Sequence, residues 1–202
     1  MKELAGYSAA ILCGGQSSRM GSDKAFLTDQ KGRLLLASLA ERLAEWFEEV
    51  RLISDDPQKF SGVKGLDYPV DADKRPLTGP TGAILTALTA KEGRPFFILA
   101  GDQPTLDLGI ILRLKELLEV NKADVALPRR EGRIEPLYAF YGPNCAPVFA
   151  DSLDQGLRAI RLSFPKLKVS YLDLLAEEIP PGLFQNLNTP KEALAWGFTP
   201  KP

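Results

Sequence analysis

The thirteen residues from Leu12 to Lys24, Leu-Cys-Gly-Gly-Gln-Ser-Ser-Arg-Met-Gly-Ser-Asp-Lys, hold three glycines, Gly14, Gly15 and Gly21, and two cations, Arg19 and Lys24. Glycines let a backbone approach a ligand closely and turn its N–H groups inward, and the cations can offset phosphate charge. A polyphosphate suits such a loop, although the same features fit a plain turn between a strand and a helix. The spacing is not the Walker pattern: Gly15 and Gly21 are separated by five residues, and Lys24 is followed by Ala25. Gly-x-Gly-x-x-Gly is also absent. The chain contains no histidine, which removes the commonest general base and imidazole metal sites. A metal would have to rest on Asp, Glu, Asn or water, a hard-oxygen set that favours Mg2+ or Mn2+ over Zn2+.

The apolar run Tyr7 to Leu12 predicts a first β-strand that hands the chain to this loop. Leu34, Leu35, Leu39, Leu43, Trp46 and Phe47 recur at helical spacing, predicting an amphipathic helix from Leu34 to Val50. A strand over Val50 to Ile53 then stops at Ser54-Asp55-Asp56-Pro57. A loop or short strand carries Asp71 and Asp73, and a helix follows from Gly82 to Lys91. Phe96-Phe97-Ile98-Leu99 predicts a strand buried on both faces in the centre of a parallel sheet, ending at Gly101-Asp102. Ligands in such sheets bind beyond the carboxyl ends of the strands, which would bring Asp102 near the loop after Leu12. Further on, the pattern predicts a helix over Leu108 to Val120, a strand over Asp124 to Leu127, a charged turn with Arg129, Arg130 and Arg133, and a strand over Pro136 to Tyr141. Helices over Ala146 to Leu153 and Gly156 to Phe164, strands over Lys168 to Leu172 and Leu183 to Leu187, and a final helix capped by Thr189 complete the expectation.

At 202 residues, 45% hydrophobic and 25% charged, the composition is that of an ordinary globular protein with one sizeable core. A net charge of -1 offers no global attraction to nucleic acid or an anionic membrane, so a phosphate ligand must be held locally. Cys13 and Cys145 lack metal-ligand spacing, and free thiols are the simpler reading. No apolar run is long enough to span a bilayer and the opening residues lack a signal-peptide pattern, so a cytoplasmic location is expected.

Leu-Cys-Gly-Gly-x-Ser-x-Arg-Met-Gly-x-Asp-Lys-Ala resembles the signature of the molybdenum cofactor guanylyltransferases. Gly79-Pro80-Thr81-Gly82-Ala83-Ile84 is similar to that family's Gly-Pro-Leu-x-Gly-Ile segment, and Gly101-Asp102-Gln103-Pro104-Thr105-Leu106 to its Cys-Asp-x-Pro-x-Leu metal-binding turn. Pro136-Leu137-Tyr138-Ala139 and Phe184-Gln185-Asn186-Leu187-Asn188-Thr189-Pro190 match later motifs, so the likeness runs in order along nearly the whole chain. It implies one three-layer α/β/α, Rossmann-like nucleotidyltransferase domain over residues 1–202 with a mostly parallel sheet. The N-terminal half would bind the nucleotide and the C-terminal half the acceptor.

The same resemblance implies a reaction and roles for particular residues. GMP from GTP would be joined to the phosphate of molybdopterin, or of its molybdenum-loaded form, with release of pyrophosphate. Asp102 and Asn188 would hold Mg2+ or Mn2+, while Arg19 and Lys24 would bind the phosphates. Leu12, Cys13, Gly14, Gly15, Asp73 and Gly79 would contact the nucleotide, with Asp73 preferred over Asp71. Arg158, Asn186 and Asn188 would serve the acceptor, and Asp23 would order the loop by pairing with a cation. Delivery of the product would bring contacts with other cofactor-biosynthesis proteins or target oxidoreductases. Rival readings are a cytidylyltransferase on the same cofactor, a sugar-phosphate nucleotidyltransferase, and a GTP-binding adaptor without turnover. Thr81 in place of Leu and Cys13 in place of Ala depart from the family's pattern and bear on base selectivity.

Overall fold

The structure, a computed structural model, describes residues 2–14 and 23–200. Gly15 and Arg19, both expected in the site, lie outside the described residues. Among those described, the first strand β1 (Leu4–Leu12) leads into β2 (Thr28–Asp29), helix α1 (Leu35–Trp46), β3 (Phe47–Ser54), β4 (Val70–Ala72), α2 (Pro80–Ala90) and β5 (Phe96–Ala100). The second half runs α3 (Leu108–Val120), β6 (Val125–Arg130), β7 (Arg133–Ile134), β8 (Tyr138–Tyr141), α4 (Cys145–Asp154), β9 (Val169–Asp173), α5 (Pro190–Ala195) and β10 (Phe198–Thr199).

The main sheet has the order β4-β3-β1-β5-β8-β6-β7, with β9 on β6. Pairing is parallel from β4 through β3 and β1 to β5, while β8 runs antiparallel to both β5 and β6. The sheet is thus mostly parallel. Its central strand β5 has one parallel and one antiparallel neighbour rather than two parallel ones.

Alternation along the strands divides the core in two, because successive side chains point to opposite faces. Ile11, Phe97, Leu99, Tyr138 and Phe140 face α1, α3 and α5; Ala10, Phe96, Ile98, Ala139 and Tyr141 face α2 and α4. Helices on both faces of one sheet make the three-layer α/β/α architecture. On the first face Phe97 stacks on Phe47 and meets Tyr138 edge-on, with ring centroids 5.7 and 5.0 Å apart.

The helix expected to reach Val50 ends at Trp46. Phe47 is fully buried against Phe97 and takes extended backbone, so strand pairing with β1 overrides the helical period. The segment Gly156 to Phe164 is not a helix. Gly156 turns the chain at φ +78°, and two short 3-10 turns, Ile160–Leu162 and Phe164–Lys166, follow it with Pro165 blocking propagation. Leu183 to Leu187 is not a strand either, since Phe184 adopts φ +67° to bury its ring edge-on against Tyr138. The charged turn expected over Pro128 to Glu135 is instead a hairpin of β6 and β7, in which Arg129 forms a two-pronged ion pair with Asp173 and Arg130 pairs with Glu135.

Gly101, just after β5, is sterically required. A Cβ there would lie 2.8 Å from Leu36 Cδ2 and 3.0 Å from the Leu12 carbonyl oxygen, which accepts the Gly101 N–H. Gly101→Ala is therefore expected to destabilise the fold by about 1–3 kcal/mol, as overpacking does, and urea unfolding will read it as a lower midpoint.

Candidate active site

Leu12 and Ala100 are paired residues at the ends of neighbouring parallel strands, and the Gly101 N–H donates to the Leu12 carbonyl at 2.9 Å. The glycine-rich loop and the turn bearing Asp102 therefore leave the sheet side by side. A cavity of about 470 Å3 opens at this edge, lined by residues that include Leu12, Cys13, Gly14, Lys24, Asp73, Gly79, Asp102 and Asn186. This is where a doubly wound sheet binds its ligands.

Lys24 begins a 3-10 turn, Lys24–Phe26, whose start is capped by Asp23 Oδ1 accepting from the Ala25 N–H. The Lys24 ammonium donates to Asp102 Oδ2 at 3.0 Å and to Asn188 Oδ1 at 2.6 Å. Asn188 is held from behind. Its backbone N–H and that of Thr189 both donate to Glu192 Oε2, while the Thr189 hydroxyl accepts from the Glu192 N–H. This capping box opens α5. The Asn188 N–H, followed by the Thr189 side chain, holds the Glu192 carboxyl below the usual carboxylate range. The adjacent Leu187 N–H donates to the Asp102 carbonyl at 2.9 Å, tying the two turns together.

Asp73 follows β4 and lines the cavity; its carboxylate accepts from the Arg75 N–H at 2.9 Å and the Thr86 hydroxyl at 3.2 Å. Asp71 instead accepts a two-pronged pair of bonds from Arg51 at 2.6 and 2.8 Å, a structural use of the carboxylate away from the cavity lining. Gly14 packs so closely that a Cβ would stand 2.9 Å from the Asp55 backbone nitrogen. The Cys13 N–H is spent on the Ile53 carbonyl, and burial, opposed by Lys59, pushes its thiol up to about 12. Cys13 and Cys145 are both free.

Gly79, at φ +73°, introduces α2 with Pro80 in its first turn. Thr81 is fully buried and its hydroxyl donates to the Arg158 carbonyl at 2.7 Å, giving the residue that replaces the family's Leu a link to the second half of the chain. The Arg158 guanidinium is not part of the cavity lining and donates to the Leu77 carbonyl at 3.3 Å. Asn186 lines the cavity, and its Oδ1 is buried with no hydrogen-bond partner among the described residues.

Some contributors escaped the sequence reading. Ser54 and Asp55 line the cavity, and the rule that ligands gather at strand ends could have singled them out from the break after Ile53. Lys59 and Leu77 carry no local signal. Among the described residues no three acidic or thiol groups gather as a metal cluster, and no helix is long and apolar enough to cross a membrane.

A three-layer α/β/α domain with a cavity at its strand ends, and a lysine, an aspartate and an asparagine meeting at one rim, define the class of a nucleotide-handling transferase domain. A family model described as MobA-like NTP transferase domain matches residues 9–167. A probable molybdenum cofactor guanylyltransferase from Natranaerobius thermophilus is 32% identical over 198 residues, covering 92% of each chain. A molybdenum cofactor guanylyltransferase from Syntrophotalea carbinolica is 31% identical over 94% of this chain and 90% of its own. In fold, the chain is similar to the crystal structure of molybdopterin-guanine dinucleotide biosynthesis protein A from Archaeoglobus fulgidus, with a TM-score of 0.79, 21% identity and coverage of 94% and 96%. The chain belongs to the MobA-like NTP transferase family.

Proposed function

We propose that this enzyme transfers GMP from GTP to the phosphate of molybdopterin, forming the guanine dinucleotide cofactor and pyrophosphate. The observation that carries this reading is the meeting of Lys24, Asp102 and Asn188 at the cavity formed by the ends of β1 and β5, in a chain whose relatives are named for this reaction. An oxygen of the molybdopterin phosphate attacks the α-phosphorus of GTP, and the bond between that phosphorus and the bridging oxygen of the β-phosphate breaks. The attacking group is already an anion, so no strong base is needed and positioning with charge neutralisation can supply the catalysis.

Leu12, Cys13, Gly14, Gly15, Asp73 and Gly79 form the nucleotide side in this reading, with Arg19 and Lys24 on the phosphates. Asn186, Asn188 and Arg158 serve the acceptor, as the C-terminal half of one domain whose N-terminal half holds the nucleotide. The place of Asn186 in the cavity lining supports an acceptor contact there. Asp102 Oδ2 and Asn188 Oδ1 converge on one cationic centre, the Lys24 ammonium, and as hard oxygen donors they fit Mg2+ or Mn2+. Those two residues would hold the ion, which would supply neutralisation of the reacting phosphates.

Pyrophosphate release measured with GTP or CTP, with and without molybdopterin and Mg2+, tests this function. Release is expected only when GTP, molybdopterin and the metal are all present. Equal or greater release with CTP would reverse the base assignment, and GTP binding without turnover would make the chain an adaptor.

A further inference from the structure

The described part of the cavity wall has an electrostatic difficulty. Asp23, Asp55, Asp73 and Asp102 all line it, and Lys24 is the one cation among the described lining residues. Carboxylates along the wall of a triphosphate site would oppose binding unless their charge is offset. Lys24 offsets Asp102, which leaves the Asp23 end of the wall to be accounted for.

Lys59 stands behind that end. It lies on the 3-10 turn Pro57–Phe60 that follows β3, and its side chain is only 15% exposed. Its ammonium donates to Asp23 Oδ2 at 2.8 Å and to the Cys13 carbonyl at 3.4 Å, and stands 3.9 Å from Asp55 Oδ1. Cys13 and Asp23 flank the glycine-rich segment on its two sides, so one side chain from the turn after β3 holds both. The neighbouring Phe60 stacks on Phe26 with ring centroids 5.6 Å apart, gripping the turn that carries Lys24 at a second point. Asp23 divides its oxygens: Oδ1 caps the Lys24 turn and Oδ2 meets Lys59.

We infer that Lys59 is a positioning residue for triphosphate binding, fastening both sides of the glycine-rich loop and cancelling the Asp23 charge that would otherwise repel the phosphates. The inference rests on the triphosphate reading of the cavity. It gives Lys59 no contact with the nucleotide; the effect passes through Asp23 and the loop.

GTP affinity measured by calorimetry with the full chain separates these elements. Lys59→Met, which keeps most of the stem and removes the charge, is expected to weaken GTP binding about tenfold, and Lys59→Arg to stay within about threefold of the parent. Asp23→Asn keeps the Oδ1 cap and removes only the charge. Combined with Lys59→Met it is expected to restore affinity to within about threefold of the parent, a coupling that a merely structural lysine would not produce. Thermal melts check that each variant is folded, and Lys59→Gln replaces Lys59→Met, with the same expected outcomes, should the latter fail to fold. A Lys59→Met protein that binds GTP within about twofold of the parent, or a defect that Asp23→Asn leaves unchanged, overturns the inference. A parent protein that does not bind GTP overturns the triphosphate reading itself.

Discussion

Asp102→Ala is expected to lower the rate of guanylyl transfer by about a thousandfold or more while leaving the fold intact. The loss follows from position. Asp102 Oδ2 meets the Lys24 ammonium at 3.0 Å, and that ammonium also contacts Asn188, so removing the carboxylate takes away the anionic partner of Lys24 and, in the proposed reading, a metal ligand. The fold survives because the backbone contact at this residue is kept: the Asp102 carbonyl accepts from the Leu187 N–H, and alanine retains it. Stability should change little, since the pair is partly exposed, at 23% and 18% for the two side chains, and such ion pairs contribute at most about 1 kcal/mol. Steady-state pyrophosphate release together with circular dichroism checks both halves of the expectation. Asp102→Asn adds a sharper test, because it keeps an oxygen and removes the charge, so its Mg2+ requirement should rise. Activity of Asp102→Ala near that of the parent would remove this aspartate from the reaction.

Lys24→Met is expected to reduce kcat by roughly a hundredfold to a thousandfold, the usual cost of deleting one preorganised group that stabilises transition-state charge. The Lys24 ammonium reaches the rim from a short 3-10 turn docked by Phe26 on Phe60. Methionine preserves much of the stem and its packing but cannot offset charge on departing pyrophosphate. Because Lys24 and Asp102 touch, their losses should not add: the double variant is expected to be little worse than Asp102→Ala alone. Single-turnover rates with saturating GTP separate this effect from weaker binding. A variant whose KM rises while kcat stays unchanged would make Lys24 a binding residue only.

Asp23 and Lys59 illustrate where the sequence stopped being readable. An aspartate inside a glycine-rich loop is expected to pair with a cation, but nothing local identifies Lys59, 36 positions away, as its partner. Asp71 and Asp73 have the same residue type and lie two positions apart; the Arg51 side chain on the neighbouring β3 occupies Asp71, while Asp73 follows β4 and faces the cavity. The spacing of Phe47 continues the apolar period of α1 and predicts helix, whereas burial on Phe97 fixes it in a strand. Phe184 falls in the strand expected over Leu183 to Leu187, and its left-handed backbone has no signature in a residue that is not glycine.

By itself, the sequence determined the elements with strong local codes: α3 over Leu108–Val120, the capping of α5 by Thr189 with Pro190, the buried strand β5, and the ordered motifs of a nucleotidyltransferase. These are legible because period, caps and turn residues act over a few adjacent positions. The tertiary structure alone decided which side chains meet. Lys24 lies 78 positions from Asp102 and 164 from Asn188, and all three converge because β1 and β5 are parallel neighbours whose ends coincide, with the segment before α5 hydrogen-bonded to the Asp102 turn. Such convergence is a property of sheet order and crossover connections, which no short stretch of residues encodes.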